Sequence, residues 1–244
     1  MALFLVCEGP EDDRRLKAML TAVLMKSVDW LESDHLQFRG AEEGFTYLRQ
    51  ASVNETHRRL FPNKFGVSAL GSFGTDPAAP YAHSARKALQ ILEKVSDFPD
   101  DGFVLVCDED LRGKNRIRGL CQARDRSSLA SRTVVGAPDP SLEAWVLCGF
   151  DPQDQTEERI LEGQARDLQF DPTKEPQRLR SKAVGDSRDI KHVLNSLVQD
   201  DGNREDQAVS NLTRIRRFGR ECGAVAFLEE CQSRLPPLFG AHYG

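Results

Sequence analysis

Long apolar runs are missing from this sequence. No stretch approaches the ~20 consecutive apolar residues of a membrane span. The short apolar run at the start ends in Glu8, so the reading expects no cleaved leader and a cytoplasmic protein. The six cysteines (Cys7, Cys107, Cys121, Cys148, Cys222 and Cys231) include no C-x-x-C pair, which excludes a zinc knuckle. Several lie inside apolar runs, where a reduced thiol behaves as a small hydrophobe. There is no G-x-x-x-x-G-K-[ST] loop, so the chain has no P-loop to cradle nucleotide phosphates. Internal repeats and low-complexity tracts are absent too. Neither charge sign is in large excess: the net charge is -5 over 244 residues. A nucleic-acid partner would therefore need a local basic face. With 39% hydrophobic and 29% charged residues, the composition is ordinary for a globular chain and sufficient for a sizeable core. The length suits one large domain or a domain with an appendage.

What the sequence does have is two apolar runs that stop abruptly in acids, Leu3 to Asp13 (LFLVCEGPEDD) and Gly102 to Asp110 (GFVLVCDED). Runs of Leu, Phe, Val and Cys too short for a helix read as strands buried on both faces, the signature of a parallel sheet. The first is followed by Gly9-Pro10, by Glu11, Asp12 and Asp13, and by the stripe Leu16, Met19, Leu20, Val23 and Leu24. Proline suits a helix start, acids suit the positive end of its dipole, and the spacing is that of an amphipathic helix. Further helices are expected over Glu42–Leu60, Ser84–Val95, Leu111–Ser131, Ser141–Phe150, Thr156–Ala165, Ser187–Val198, Arg204–Phe218 and Ala224–Leu235. A third strand is expected over Thr133–Val135, and a short strand or loop excursion over Phe61–Tyr81, rich in Gly and Pro. Strands alternating with helices up to about residue 150 predict a mostly parallel α/β sheet, Rossmann-like and flanked by helices, with the domain at 1–150. Residues 151–244 form a helical extension packed on it.

In open α/β sheets, ligands gather outside the carboxyl ends of the strands. Glu8 and Asp12 follow one strand; Asp108 and Asp110, two apart and hence on one face, follow another. Four acids drawn together repel unless a cation sits among them. All-oxygen ligands favour Mg²⁺ or Mn²⁺ over zinc. Two such ions, roughly 3.5–4 Å apart, would clamp a scissile phosphate and activate a water. The bland alternative is that Glu8 and Asp12 merely favour a helix N-terminus. The basic stretch beyond the acids, Arg112 to Arg132 with Arg112, Lys114, Arg116, Arg118, Arg124, Arg126 and Arg132, would hold a nucleic-acid backbone or else be a solvated helix face.

Glu8-Gly9 after a strand, Asp12 four residues on, and Asp108-x-Asp110 after a later strand resemble the Toprim fold. The Glu8/Asp12 spacing resembles the overcoming-lysogenization-defect (OLD) nucleases in particular. Pro138 to Phe150 (PDPSLEAWVLCGF) is similar to a segment of small stand-alone Toprim-like anti-phage defence proteins. The resemblance covers about residues 1–150. It implies a Mg²⁺- or Mn²⁺-dependent nuclease, with Glu8 as general base or metal ligand and Asp12, Asp108 and Asp110 as metal ligands. Glu143 would be a second-metal or structural acid, and Lys182 a lysine near the phosphate. It further implies a nucleic-acid substrate, DNA ahead of RNA. Because the ATPase half of full OLD proteins is missing, it implies an effector subunit working with a separate ATPase partner in an anti-phage complex. No membrane is involved. An inactive Toprim-like scaffold subunit of a defence or repair complex is the alternative. A receiver-like regulatory domain is a third reading, but such domains are roughly half this length and need a lysine at a later strand end.

Overall fold

The computed structural model describes residues 2–39, 73, 76–96, 98–109, 115–181 and 183–240. Among the described residues four strands form one sheet: β1 (Leu3–Val6), β2 (Phe38–Arg39), β3 (Gly102–Val106) and β4 (Thr133–Gly136). The order is β2-β1-β3-β4 and every pairing is parallel, the α/β architecture expected from the apolar runs. Leu3 pairs with Gly102 and Val6 with Leu105, while Val106 pairs with Gly136. From β1 the chain moves to one side to make β2, then returns to the other side to make β3. The sheet therefore reverses direction between β1 and β3, and a crevice opens at their carboxyl ends.

Alternation along the strands divides the core into two layers. Leu3, Leu5, Val104, Val106 and Val134 face one layer, where Leu16, Met19, Leu20, Val23 and Leu24 of α1 (Pro10–Ser27) cover them. Phe4, Val6, Phe103, Leu105 and Val135 face the other, against α2 (Ala82–Val95) and α3 (Arg116–Arg124). Helix α1 begins as its sequence demands: Gly9 is extended, Pro10 opens the first turn and three acids follow.

The remaining helices are α4 (Glu143–Gly149), α5 (Gln155–Leu168), α6 (Ile190–Val198), α7 (Gly202–Ser210), α8 (Leu212–Phe218), α9 (Ala224–Arg234) and α10 (Pro236–Gly240). Their apolar faces join the α1 layer, so Leu194, Val209, Ile215, Phe227 and Leu235 share one core with β1 and β3. Helix α4 is buried along its whole length. Its Trp145 stacks on Phe227 with ring centroids 4.8 Å apart and donates its indole N–H to the Cys222 carbonyl at 2.8 Å. At Gly149 a Cβ would come within 1.9 Å of the Ala208 carbonyl oxygen, so only glycine lets α4 pass so close to α7. On the open side of β4, the Val135 N–H donates to the Glu230 carboxylate of α9 at 2.8 Å, and Arg124 pairs with the same side chain.

Several expectations need correction. The helix expected over Arg204–Phe218 is two, broken at Asn211, whose side chain caps the second by accepting from the Arg214 N–H. Asparagine offers the backbone this competing bond, which ends the first helix. The basic helix expected to run to Ser131 stops at Arg124, where Ser127 and Ser128 favour a turn. Helix α6 starts at Ile190 rather than Ser187, because Asp189 caps it through the Lys191 N–H. Strand β2 was not anticipated; two residues carry no periodicity. The helix expected over Glu42–Leu60 lies outside the described residues, as does most of Phe61–Tyr81. The six cysteines are free thiols, five of them buried.

Candidate functional site

Glu8 lies two residues beyond β1 and Asp108 two beyond β3, on the two strands that flank the crevice. Both line one cleft of about 390 Å³, together with Tyr81, Arg116, Ser141, Arg180 and Lys191. Arg116 joins the two strand ends. Its Nη1 donates to the Asp108 backbone carbonyl at 2.7 Å and to Glu8 Oε1 at 3.4 Å, while its guanidinium lies 4.4 Å from the Tyr81 ring centre. The Cys107 thiol donates to Glu8 Oε1 at 3.1 Å. Asp108 Oδ1 accepts the Leu142 N–H at 3.1 Å, which ties it to the approach to α4.

Asp12 stands in the first turn of α1 and Glu143 in the first turn of α4. Both face Arg15, a guanidinium only 4% exposed. Arg15 Nη1 is 3.2 Å from Glu143 Oε1 and 3.7 Å from Asp12 Oδ1, and its Nη2 is 2.8 Å from Glu205 Oε1. Ser141 also donates to Glu143, and Lys191 Nζ lies 3.8 Å from it.

The electrostatics follow from this crowding. Burial pushes the Asp108 carboxyl up to about 8, with Glu8, Asp12 and Glu143 adding repulsion. Burial and then Glu143 push Asp12 up to about 6, while Arg15 pulls it down. Burial pushes the Glu205 carboxyl up, but the hydrogen bonds and charges of Arg15 and Arg14 together carry it below the usual range. Burial, then Glu8, drives the Cys107 thiol far above its ordinary value, leaving it protonated and inert.

The predicted residues therefore divide. Glu8, Asp12, Asp108 and Glu143 act on one another at one rim of the sheet, and Arg116 stands among them. Arg118 is exposed on α3 and does not line the cleft. Asp110, Arg112, Lys114 and Lys182 lie outside the described residues. Among the described residues, the one trio of candidate ligand atoms within 4.8 Å of one another is Glu32, Asp34 and His35. It is exposed, away from the acids at the strand ends. Farther along the basic stretch, Arg124 and Arg132 serve the fold, binding Glu230 and the carbonyls of Phe98 and Asp101.

Sequence reasoning missed Arg15, Glu205, Arg180 and Lys191, and the capping role of Glu109. Arg15 had a signal: it sits one turn before Met19 on the apolar stripe, and a cation on a buried face needs buried acids. Glu109 points away from the cleft, as strand alternation predicts. There it accepts the N–H groups of Asn115, Arg116 and Ile117 at 3.0, 3.3 and 2.8 Å, capping α3 and fixing the base of Arg116. Glu109→Ala is expected to cost about 1–2 kcal/mol, the value of a lost cap, measured by denaturant unfolding.

No family model matches the chain, and no match was found among curated proteins or solved structures. Among the described residues no helix is long and apolar enough to cross a membrane.

Proposed function

We propose that the chain is a Mg²⁺- or Mn²⁺-dependent phosphodiesterase that cuts nucleic acid, of the Toprim type. The observation that carries this reading is one cleft lined by both carboxylates and cations. Glu8 and Asp108 enter from the neighbouring strands β1 and β3, and Arg116, Arg180 and Lys191 surround them. A hard divalent cation suits the carboxylates, and a phosphate suits the guanidinium and ammonium groups. Glu8, Asp12 and Asp108 offer the carboxylate oxygens such an ion takes; as placed, their oxygens do not all lie within 4.8 Å of one another, so binding must draw the three side chains together. The raised carboxyls of Asp108 and Asp12 mark charge that a cation would relieve.

Glu8, Asp12 and Asp108 would hold the ion, which when bound supplies Lewis acidity to the phosphoryl oxygen and to the attacking water. The chain's own groups do the rest. Arg116, braced by Tyr81 and the Asp108 carbonyl, and Arg180, held by Asp139 at 2.9 Å, orient phosphate oxygens. Glu8, the exposed acid of the set, takes the proton of the attacking water. Asp110 as a ligand and Lys182 beside the phosphate are carried by the resemblance alone. So are DNA ahead of RNA, the anti-phage setting and the separate ATPase partner, to which the missing P-loop adds a reason.

Purified protein incubated with plasmid, linear DNA and total RNA tests the reading. Cleavage of DNA with Mg²⁺ or Mn²⁺ and none with a chelator is expected. Intact substrates under every metal condition would overturn it.

A second reading, the inactive scaffold, draws on the guanidinium contacts, since Arg116 touches Glu8 and Arg15 touches Glu143. Calorimetric titration with Mn²⁺ separates the two: heat at the wild-type acids favours the enzyme, and silence favours the scaffold.

A further inference from the structure

We infer that Cys148 and Cys222 form a modification site, oxidised by a peroxide to a disulfide that fastens α4 to the turn between α8 and α9; the inference is independent of the metal-dependent reading above. The two residues are 74 positions apart in the chain, yet their sulfurs stand 3.5 Å from each other. A disulfide bond is about 2.05 Å long, so bonding asks for roughly 1.5 Å of approach. Both side chains are enclosed in the core, whose packing holds the sulfurs against each other.

Burial alone makes a cysteine inert, as it does for Cys7 and Cys231, whose thiols it pushes up. Cys222 differs. Its own S–H donates to the Gly219 carbonyl at 3.5 Å, so the hydrogen between the two sulfurs comes from Cys148. That bond from Cys148 lowers the Cys222 thiol against its burial, and the Ala224 N–H at the start of α9 helps. The same contact raises Cys148, so the thiolate forms at Cys222. Access comes through the turn, where the neighbouring Arg220 and Glu221 are exposed. The Cys222 thiolate attacks a peroxide oxygen: an S–O bond forms, the O–O bond breaks, and water or an alcohol leaves with the released proton. The Cys148 sulfur then attacks Cys222: the S–S bond forms, the S–O bond breaks, and a second water carries off the Cys148 proton. Two thiols are oxidised and one peroxide is reduced. The Cys222 carbonyl accepts the Asp139 N–H at 3.1 Å, and Asp139 holds Arg180 at the cleft, so the new bond braces one wall of that cleft.

Hydrogen peroxide treatment of the full chain, followed by thiol counting and peptide mapping without reductant, tests this. Free thiols should fall from six to four per chain, with Cys148 and Cys222 in one cross-linked peptide, and a reductant should restore all six. The oxidised chain should melt at a higher temperature, because the bond closes a long loop in the unfolded state. Cys148→Ser should stop at a sulfenic acid on Cys222 that dimedone captures, and Cys222→Ser should leave Cys148 unmodified. Six thiols surviving a peroxide excess that fully oxidises a dithiol control peptide would overturn the inference. So would a bond between any other pair, a lower melting temperature on oxidation, or dimedone captured at Cys148 instead of Cys222. The wild-type peptide map decides the matter whether or not the variants fold.

Discussion

Asp108→Asn and Glu8→Gln are each expected to lower metal-dependent cleavage by about 10³-fold, the scale of losing a preorganised electrostatic contact in a reacting site. The amide keeps the size of the side chain, and in Asp108→Asn its oxygen still accepts the Leu142 N–H that the carboxylate accepts now. Only the negative charge is lost, so a folded but inactive protein is the expected outcome. Circular dichroism and a thermal melt establish the first half, and single-turnover cleavage of labelled DNA the second. Alanine at either position should be equally inactive. Cleavage that survives in both variants would reject the assignment of these two carboxylates.

The second large effect is on stability, and it runs opposite to that of most acids. In the folded chain Asp108 holds its proton up to about 8, whereas its ordinary value is 3.8. Between those limits the native state binds a proton that the unfolded state has released. Stability therefore falls as pH rises through this window, by at most about 1.4 kcal/mol per pH unit for one group, and levels off above it. Asp12, pushed up to about 6, adds to the slope below that pH. In chelator, unfolding free energies measured from pH 4 to pH 9 should show this decline. Asp108→Asn should remove it between pH 6 and pH 8 and be the more stable protein at pH 8. Mn²⁺ should stabilise the wild type most at the alkaline end, where no proton competes for the carboxylates. A flat wild-type profile with chelator present would show that these acids are not crowded as described. The two predictions together place one side chain on both sides of a trade: the charge that weakens the fold is the charge that serves the chemistry.

The parallel sheet was legible because strands covered on both faces leave continuous apolar runs, as LFLV and GFVLV do. Acids directly after such runs were legible for the same reason, since the run locates the strand end. The strand order was not, because nothing in the local pattern says that β3 lies beside β1 rather than beyond β2. That adjacency is what brings Glu8 and Asp108 to one cleft. Strand β2 was too short to show a period. Arg15 was hidden by the habit of reading helices for their apolar members, although its place on the stripe demanded a buried partner, which came from Glu205, 190 residues further on. The basic stretch misled in part because charge in a sequence does not reveal whether a side chain points at solvent. Arg124 and Arg132 turned inward to carboxylate and carbonyl oxygens.

The carboxylate of Glu230 has a consequence for how these molecules can meet. By taking the outward amide of Val135 it finishes the sheet with a side chain where another strand would otherwise dock. That margin is closed to a visiting peptide in extended form and to a neighbour seeking to prolong the ladder. Copies of this chain crowded together are spared one common route to fibres at this edge, which leaves β2 as the sheet's other margin among the described residues.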